Sequence, residues 1–179
     1  MNVAVCDYGA GNVRSVALAF ERMGATVRFD GVADADLAVL PGVGSAAAAM
    51  RGLREGRVDR ALRHRIAAGR PVLGICLGLQ LALEGSDEDG GVEGLGLIPG
   101  RAVRIDSGRV PRIGWADVEP LGETFYFAHS YAAETEAATA FSEGFVAEAR
   151  AGSFVGVQFH PEKSGAAGAD YLRSCLSPG

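Results

Sequence analysis

The chain has 179 residues, 48% of them apolar, and a formal net charge of -5, which suits one buried core and a single domain spanning 1–179. Lys and Arg are scattered over a net-negative chain and no apolar run approaches the roughly 20 residues of a membrane span, so a nucleic-acid surface and a transmembrane helix are both excluded. Three cysteines at unrelated spacings make neither a disulfide framework nor a metal-ligand pair, and the start of the chain lacks a basic secretory leader, so a cytoplasmic protein without metal or cofactor is expected.

Asn2 to Cys6 form a short apolar run that reads as a buried strand ending in Asp7-Tyr8-Gly9-Ala10-Gly11. Asn12 stands where a helix cap belongs, and Val13, Val16, Ala17, Phe20 and Met23 then share one helical face until Gly24. Thr26 to Phe29 and Leu37 to Leu40 read as strands, the second running directly into Pro41-Gly42-Val43-Gly44. Val58, Ala61, Leu62 and Ile66 recur at helical spacing, Pro71 to Ile75 is another apolar strand, and Leu79 to Glu84 are good helix formers. Strands alternating with helices imply a largely parallel sheet. An acidic, glycine-rich loop covers Gly85 to Gly94. Beyond about residue 100, closely spaced strand-like runs at Ala102 to Ile105, Ile113 to Val118, Thr124 to Phe127 and Phe145 to Ala149 imply an antiparallel portion. Phe154 to Phe159 is a last strand and Ala169 to Leu176 a closing helix. The fold class expected is mixed α/β, with helices flanking the sheet.

Chemistry concentrates at two points. Gly74-Ile75-Cys76-Leu77-Gly78 follows an apolar strand and precedes a helix, the setting of a nucleophile elbow: a strained turn that holds its nucleophile up and exposed, with glycines letting strand and helix approach. A helix N-terminus beside the sulfur favours its thiolate form. The ordinary alternative is a buried core cysteine, the reading given to Cys6 and Cys175. Near the other end, His160-Pro161-Glu162 closes a strand. In extended backbone, residues two apart point the same way, so Glu162 can orient the His160 ring, which in turn can exchange a proton with Cys76. Only three histidines exist. His64 falls on the polar face of a helix, and His129 remains a competing base or a pocket residue. An attacking thiolate generates an oxyanion that needs two aimed donors. Leu77 N–H is one, and Val43 N–H, in the glycine loop, is the second. Trp115 reads equally as core or interface.

Asp7 to Asn12, Pro41-Gly42-Val43-Gly44, Gly74 to Gln80, Gly94 to Gly100 and Gln158 to Ser164 together resemble the class I glutamine amidotransferases, and among them the glutaminase subunits of imidazole glycerol phosphate synthases. The resemblance runs from one end of the chain to the other. It implies hydrolysis of glutamine to glutamate and ammonia through a thioester on Cys76, with His160 and Glu162 completing the triad. It implies that Gln80 and the Gly42 to Gly44 loop hold glutamine, with Glu88 and the Ser130-Tyr131 backbone as further pocket residues. It also implies a heterodimer with a cyclase subunit built on a phosphate-binding barrel, which takes up the ammonia to make imidazole glycerol phosphate and AICAR in histidine biosynthesis. Tyr8 to Asn12 and Trp115 would face that partner. Ala116 and Ser45 depart from the family's usual asparagine and bulkier residue, and the chain is somewhat short.

Two other readings are open to the same residues. The glutaminase could serve another synthase, of anthranilate or pyridoxal phosphate. From a different class, Gly9 and Gly11 after a strand, with Asp30 about 20 residues on, resemble a dinucleotide-binding module, although Arg14 stands where the third glycine belongs.

Overall fold

The structure, a computed structural model, describes residues 1–9, 12–106 and 108–176. In chain order its elements are β1 (Asn2–Val5), α1 (Val13–Arg22), β2 (Thr26–Arg28), β3 (Leu37–Leu40), α2 (Ala46–Glu55), α3 (Val58–Ala67), β4 (Val72–Ile75), α4 (Leu77–Ala82), β5 (Gly85–Ser86), β6 (Val92–Glu93), β7 (Arg101–Arg104), β8 (Arg112–Val118), β9 (Glu123–His129), β10 (Tyr131–Glu134), β11 (Ala138–Ser142), β12 (Phe145–Ala151), β13 (Phe154–Val157) and α5 (Gly165–Leu176).

Seven strands form the main sheet in the order β11-β12-β13-β4-β3-β1-β2. From β13 to β2 the pairs are parallel, and β11, β12 and β13 pair antiparallel, which is the mixed architecture expected. β1, β3 and β4 are near-continuous apolar runs because helices cover both faces of this sheet. Alternation then sorts side chains by face. Val3 and Val5 of β1 join Val16 and Phe20 of α1, Leu172 of α5, and Phe125 and Phe127 of β9. Ala4 and Cys6 point the other way, into a core with Met50 and Leu53 of α2, Leu62 of α3 and Leu79 of α4. Beside the main sheet stand the ribbon β8-β9 and a small sheet β10-β7-β5-β6.

Several features differ from the sequence reading. The sequence reading has no helix over Ala46–Glu55, yet the buried Ala46, Ala49, Met50 and Leu53 of α2 recur at i, i+3, i+4 and i+7, a helical signal whose first half is alanine and too small to stand out as an apolar stripe. Nor does that reading contain β10 and β11, and the Gly85 to Gly94 segment, read as a loop, holds the two short strands β5 and β6. Asn12 occupies the N-cap of α1 in the left-handed region (φ 77°), but its side chain makes no capping hydrogen bond; it is engaged elsewhere, as described below. Ala10 and Gly11, part of the first motif, lie outside the described residues.

The sheet positions the chemistry. Tyr8, the Pro41–Gly44 loop, Cys76 and His160 all follow the carboxyl ends of β1, β3, β4 and β13, neighbouring strands of the sheet, in the crevice where open α/β sheets bind ligands. At the corner after β4 a side chain on Gly78 would meet the Leu40 carbonyl oxygen at 1.8 Å, and one on Gly74 would meet Gly78 backbone at 2.9 Å. The glycines flanking Cys76 therefore allow α4 to descend directly onto the sheet.

Candidate active site

Cys76 sits between β4 and α4 at φ 53°, ψ -106°, a conformation that costs an L-residue roughly 1–3 kcal/mol and persists only where surrounding structure imposes it. Its N–H donates to the Val157 carbonyl at 2.7 Å and its carbonyl accepts from Leu79 and Gln80, so the corner is pinned on both sides. The sequence reading has the sulfur held up and exposed. Cys76 is instead 5% exposed, at the floor of a cavity of about 240 Å³. Segments remote in the chain close over it: Val43 and Gly44, Glu88, Pro111 and Ile113, and Ala128 to Tyr131. A larger cavity of about 730 Å³ lies near the starts of β3, β4 and β13, lined by Leu37, Val72 and Val155, and contains none of these groups.

His160 is brought to the sulfur by β13, which lies beside β4. Its backbone N–H donates to the Tyr126 carbonyl, and its own carbonyl accepts from Ser164 Oγ at 2.7 Å. Its Nδ1 lies 2.9 Å from Glu162 Oε1, and both side chains are sealed from solvent, at 1% and 0% exposure. Burial opposes a charged imidazole here, but hydrogen bonds to Cys76 and Glu162 and the charges of both outweigh it, holding His160 up at about 9. Asn12 Nδ2 donates to the same Glu162 oxygen. That contact spans 150 positions of sequence and left no periodic or motif signal beyond the cap-like placement of Asn12.

His129 is not available as a base. Its Nδ1 meets the Tyr131 carbonyl at 2.8 Å and its Nε2 meets Arg112 Nη1 at 3.2 Å. Arginine can only donate, so Nε2 accepts and Nδ1 carries the proton. Burial, with the Arg112 charge adding to it, pushes His129 down to about 4. Between pH 6.5 and 4 the unfolded chain binds a proton that the folded chain refuses, so stability falls as pH falls through that window, by roughly 3 kcal/mol from this group. Urea unfolding at pH 7.5 and 4.5 should show a shallower acid loss for His129→Asn than for wild type; equal slopes would contradict the neutral assignment.

Leu77, Val43 and Gly44 line the cavity, and among the described residues the N–H groups of Val43, Gly44, Leu77 and Gly78 have no acceptor. Gly42 stands behind that wall, where a side chain would meet Tyr8 Oη at 2.5 Å and Leu77 Cβ at 3.0 Å. Gln80, Ser130 and Tyr131 line the cavity, with Gln80 Nε2 donated to the Tyr131 carbonyl at 2.8 Å. Glu88 also lines it. Its Oε2 accepts from Ala46 N–H at 2.9 Å, and burial pushes its carboxyl above the ordinary range. Ser45, one of the departures from the expected motif, caps α2 by accepting from Ala48 N–H and donates its hydroxyl to Asp89 at 2.6 Å. The acidic loop is thus tied to the start of α2. His64 is exposed, Cys6 is fully buried, and Cys175 lines the larger cavity.

A strained corner cysteine and a carboxylate-backed histidine at adjacent strand ends define an amide-hydrolase type of site, and the family follows: the chain belongs to the class-I glutamine amidotransferases, whose family model matches residues 4–177. Among curated relatives it is 42% identical over 191 residues to a Carboxydothermus hydrogenoformans protein named imidazole glycerol phosphate synthase subunit HisH, covering 95% of this chain and 96% of that one. It is 44% identical over 195 residues to the subunit HisH of Methanothermobacter thermautotrophicus, with 96% of both chains covered. The Arabidopsis thaliana relative, imidazole glycerol phosphate synthase hisHF, is 40% identical over 98% of this chain, which spans 34% of that longer protein. A crystal structure of a glutamine amidotransferase superposes with a TM-score of 0.79 at 21% identity, over 97% of this chain and 96% of that one. This likeness concerns the fold. Among the described residues no helix is long and apolar enough to cross a membrane.

Proposed function

We propose that residues 1–179 form a single glutamine amidotransferase domain that hydrolyses the side-chain amide of glutamine at Cys76 and passes the ammonia to a cyclase subunit making imidazole glycerol phosphate in histidine biosynthesis. The observation that carries the chemistry is the placement of Cys76 and His160 just past the ends of the paired strands β4 and β13, with His160 Nδ1 2.9 Å from the buried Glu162 Oε1. The subunit assignment is supported by identity above 40% over nearly the whole chain.

At neutral pH the raised affinity of His160 for its proton leaves an imidazolium beside the sulfur. The thiolate attacks the carboxamide carbon, and the oxyanion is met by the unengaged N–H groups of Val43 and Leu77. His160 gives its proton to the leaving nitrogen, the C–N bond breaks, and ammonia departs from a glutamyl thioester. His160 then takes a proton from water, whose oxygen adds to the carbonyl carbon, and the C–S bond breaks to release glutamate. Gln80, Glu88, Gly44 and the Ser130–Tyr131 segment shape a cavity of amino-acid size, below the roughly 300–1,000 Å³ usual for larger ligands. Gly42 holds the loop in register from behind.

Partner docking is supported by the rim of the cavity. Ile113 and Trp115 of β8 are 63% and 59% exposed, Trp115 packs edge-on against Tyr126, and the Lys163 ammonium lies 5.9 Å from the Tyr126 ring centre. An apolar ribbon with a cation beside it suits a protein surface that covers the cavity and receives ammonia without loss to solvent. The barrel form of that partner and a cytoplasmic setting belong to the same proposal. Glutamine turnover should be low for the chain alone and rise when the cyclase subunit and its nucleotide substrate are added. This is read as glutamate release, with anthranilate and pyridoxal phosphate synthases as controls. Equal turnover with and without the cyclase, or stimulation by a control synthase instead, would redirect the assignment.

A further inference from the structure

Gln158, on the segment between β13 and His160, is completely buried and has no part in the triad. Its Nε2 lies 3.6 Å from Cys76 Sγ, within reach of an N–H to sulfur hydrogen bond, and its Oε1 lies 3.1 Å from Gln80 Nε2. The direction of these bonds does not depend on how either amide is drawn, because the chain of contacts ends on a group with fixed polarity. The Tyr131 carbonyl can only accept, so the Gln80 atom 2.8 Å from it is the nitrogen. The second N–H of that nitrogen needs an acceptor, so Gln158 presents its oxygen to Gln80 and its own nitrogen to the sulfur. His129, donating to the same Tyr131 carbonyl and receiving from Arg112, holds the far end of the relay.

We propose that Gln158 is a catalytic residue: its carboxamide donates an N–H to the Cys76 sulfur, favouring thiolate over thiol before attack and receiving the sulfur's charge again when the thioester breaks. Hydrogen bonds to charged acceptors are the strong ones, and the fully buried Gln158 amide has no water to turn to instead. In the second half-reaction the electron pair of the C–S bond returns to sulfur, where the same N–H meets it. That half-reaction rests on the glutaminase reading; the contact with sulfur does not.

The test is alkylation of Cys76 by iodoacetamide across pH, followed on the Cys76 peptide by mass spectrometry, in the full chain and in Gln158→Met. Loss of the donor should slow alkylation at pH 7 about 10-fold and move the profile roughly one pH unit higher, with the plateau at high pH retained. An unmoved midpoint, even with a lower plateau, overturns the proposal, since a packing role changes access to sulfur without changing its protonation. If Gln158→Met does not fold, the side-chain amide signals of Gln158 in the ¹⁵N-labelled wild type decide: they should titrate with the midpoint of alkylation, and signals that ignore it overturn the proposal. Because no glutamine enters either measurement, failure of the glutaminase reading would show separately, as absent glutamate release beside an intact alkylation shift.

Discussion

Replacing Cys76 with glycine should abolish glutamine turnover and leave the protein more stable than the alanine variant. Both parts follow from one backbone corner. At φ 53°, ψ -106° a side chain of L configuration costs roughly 1–3 kcal/mol, and only glycine avoids that cost. Cys76→Ala retains the strained conformation and loses the sulfur's contacts. Cys76→Gly loses slightly more packing but relieves the strain. At an unstrained position glycine would be the less stable of the two by about 0.5–1 kcal/mol, so the order of the two variants in urea melts reads the strain by its sign. Both lack a nucleophile, and deleting such a group typically lowers kcat by about a million-fold. Alanine more stable than glycine would mean that the corner is relaxed and the strain argument wrong.

Glu162→Gln should leave the protein folded but reduce kcat by about 10²–10⁴-fold, and it should move the alkaline limb of the pH–rate profile to lower pH. The glutamine oxygen can still receive His160 Nδ1–H and Asn12 Nδ2, so ring orientation is kept while the negative charge is lost. Without that charge, burial is opposed mainly by Cys76, and the proton on His160 is held less firmly than at its present value of about 9. The stability consequence has a definite sign. A histidine whose folded value lies above its ordinary 6.5 contributes stability that is complete below 6.5 and is lost as pH rises through about 9. Wild type and Glu162→Gln should therefore differ most below pH 6.5 and converge above 9. A constant difference across that range would show that Glu162 acts by packing alone. Its second oxygen, buried without a partner among the described residues, makes the side chain costly to keep for packing, since an unsatisfied buried polar atom is unfavourable.

Several site features were legible because they are local. The corner at Gly74 to Gly78 and the pair His160 and Glu162 each occupy a few consecutive residues whose spacing determines backbone geometry directly. The strands carrying them are short apolar runs, and Leu37–Leu40 came out with the bounds expected. α2 escaped because half of its buried face is alanine, and β10 and β11 because Tyr131–Glu134 and Ala138–Ser142 are short runs rich in alanine, a weak strand former.

By itself, then, the sequence determined which residues stand at strand ends, which corner is bent, and that a cysteine, a histidine and a carboxylate are present in a pattern suited to amide hydrolysis. Only the tertiary structure decided that the cysteine is sunk below a cavity rather than raised into solvent, that Asn12 leaves its helix to hold Glu162, that both nitrogens of His129 are occupied, and that Gln158 turns its amide toward sulfur. The physical reason is common to all four. Burial and hydrogen-bond direction are set by groups up to 150 positions apart in the chain, and even Arg112, 17 positions from His129, reaches it only because β8 pairs with β9.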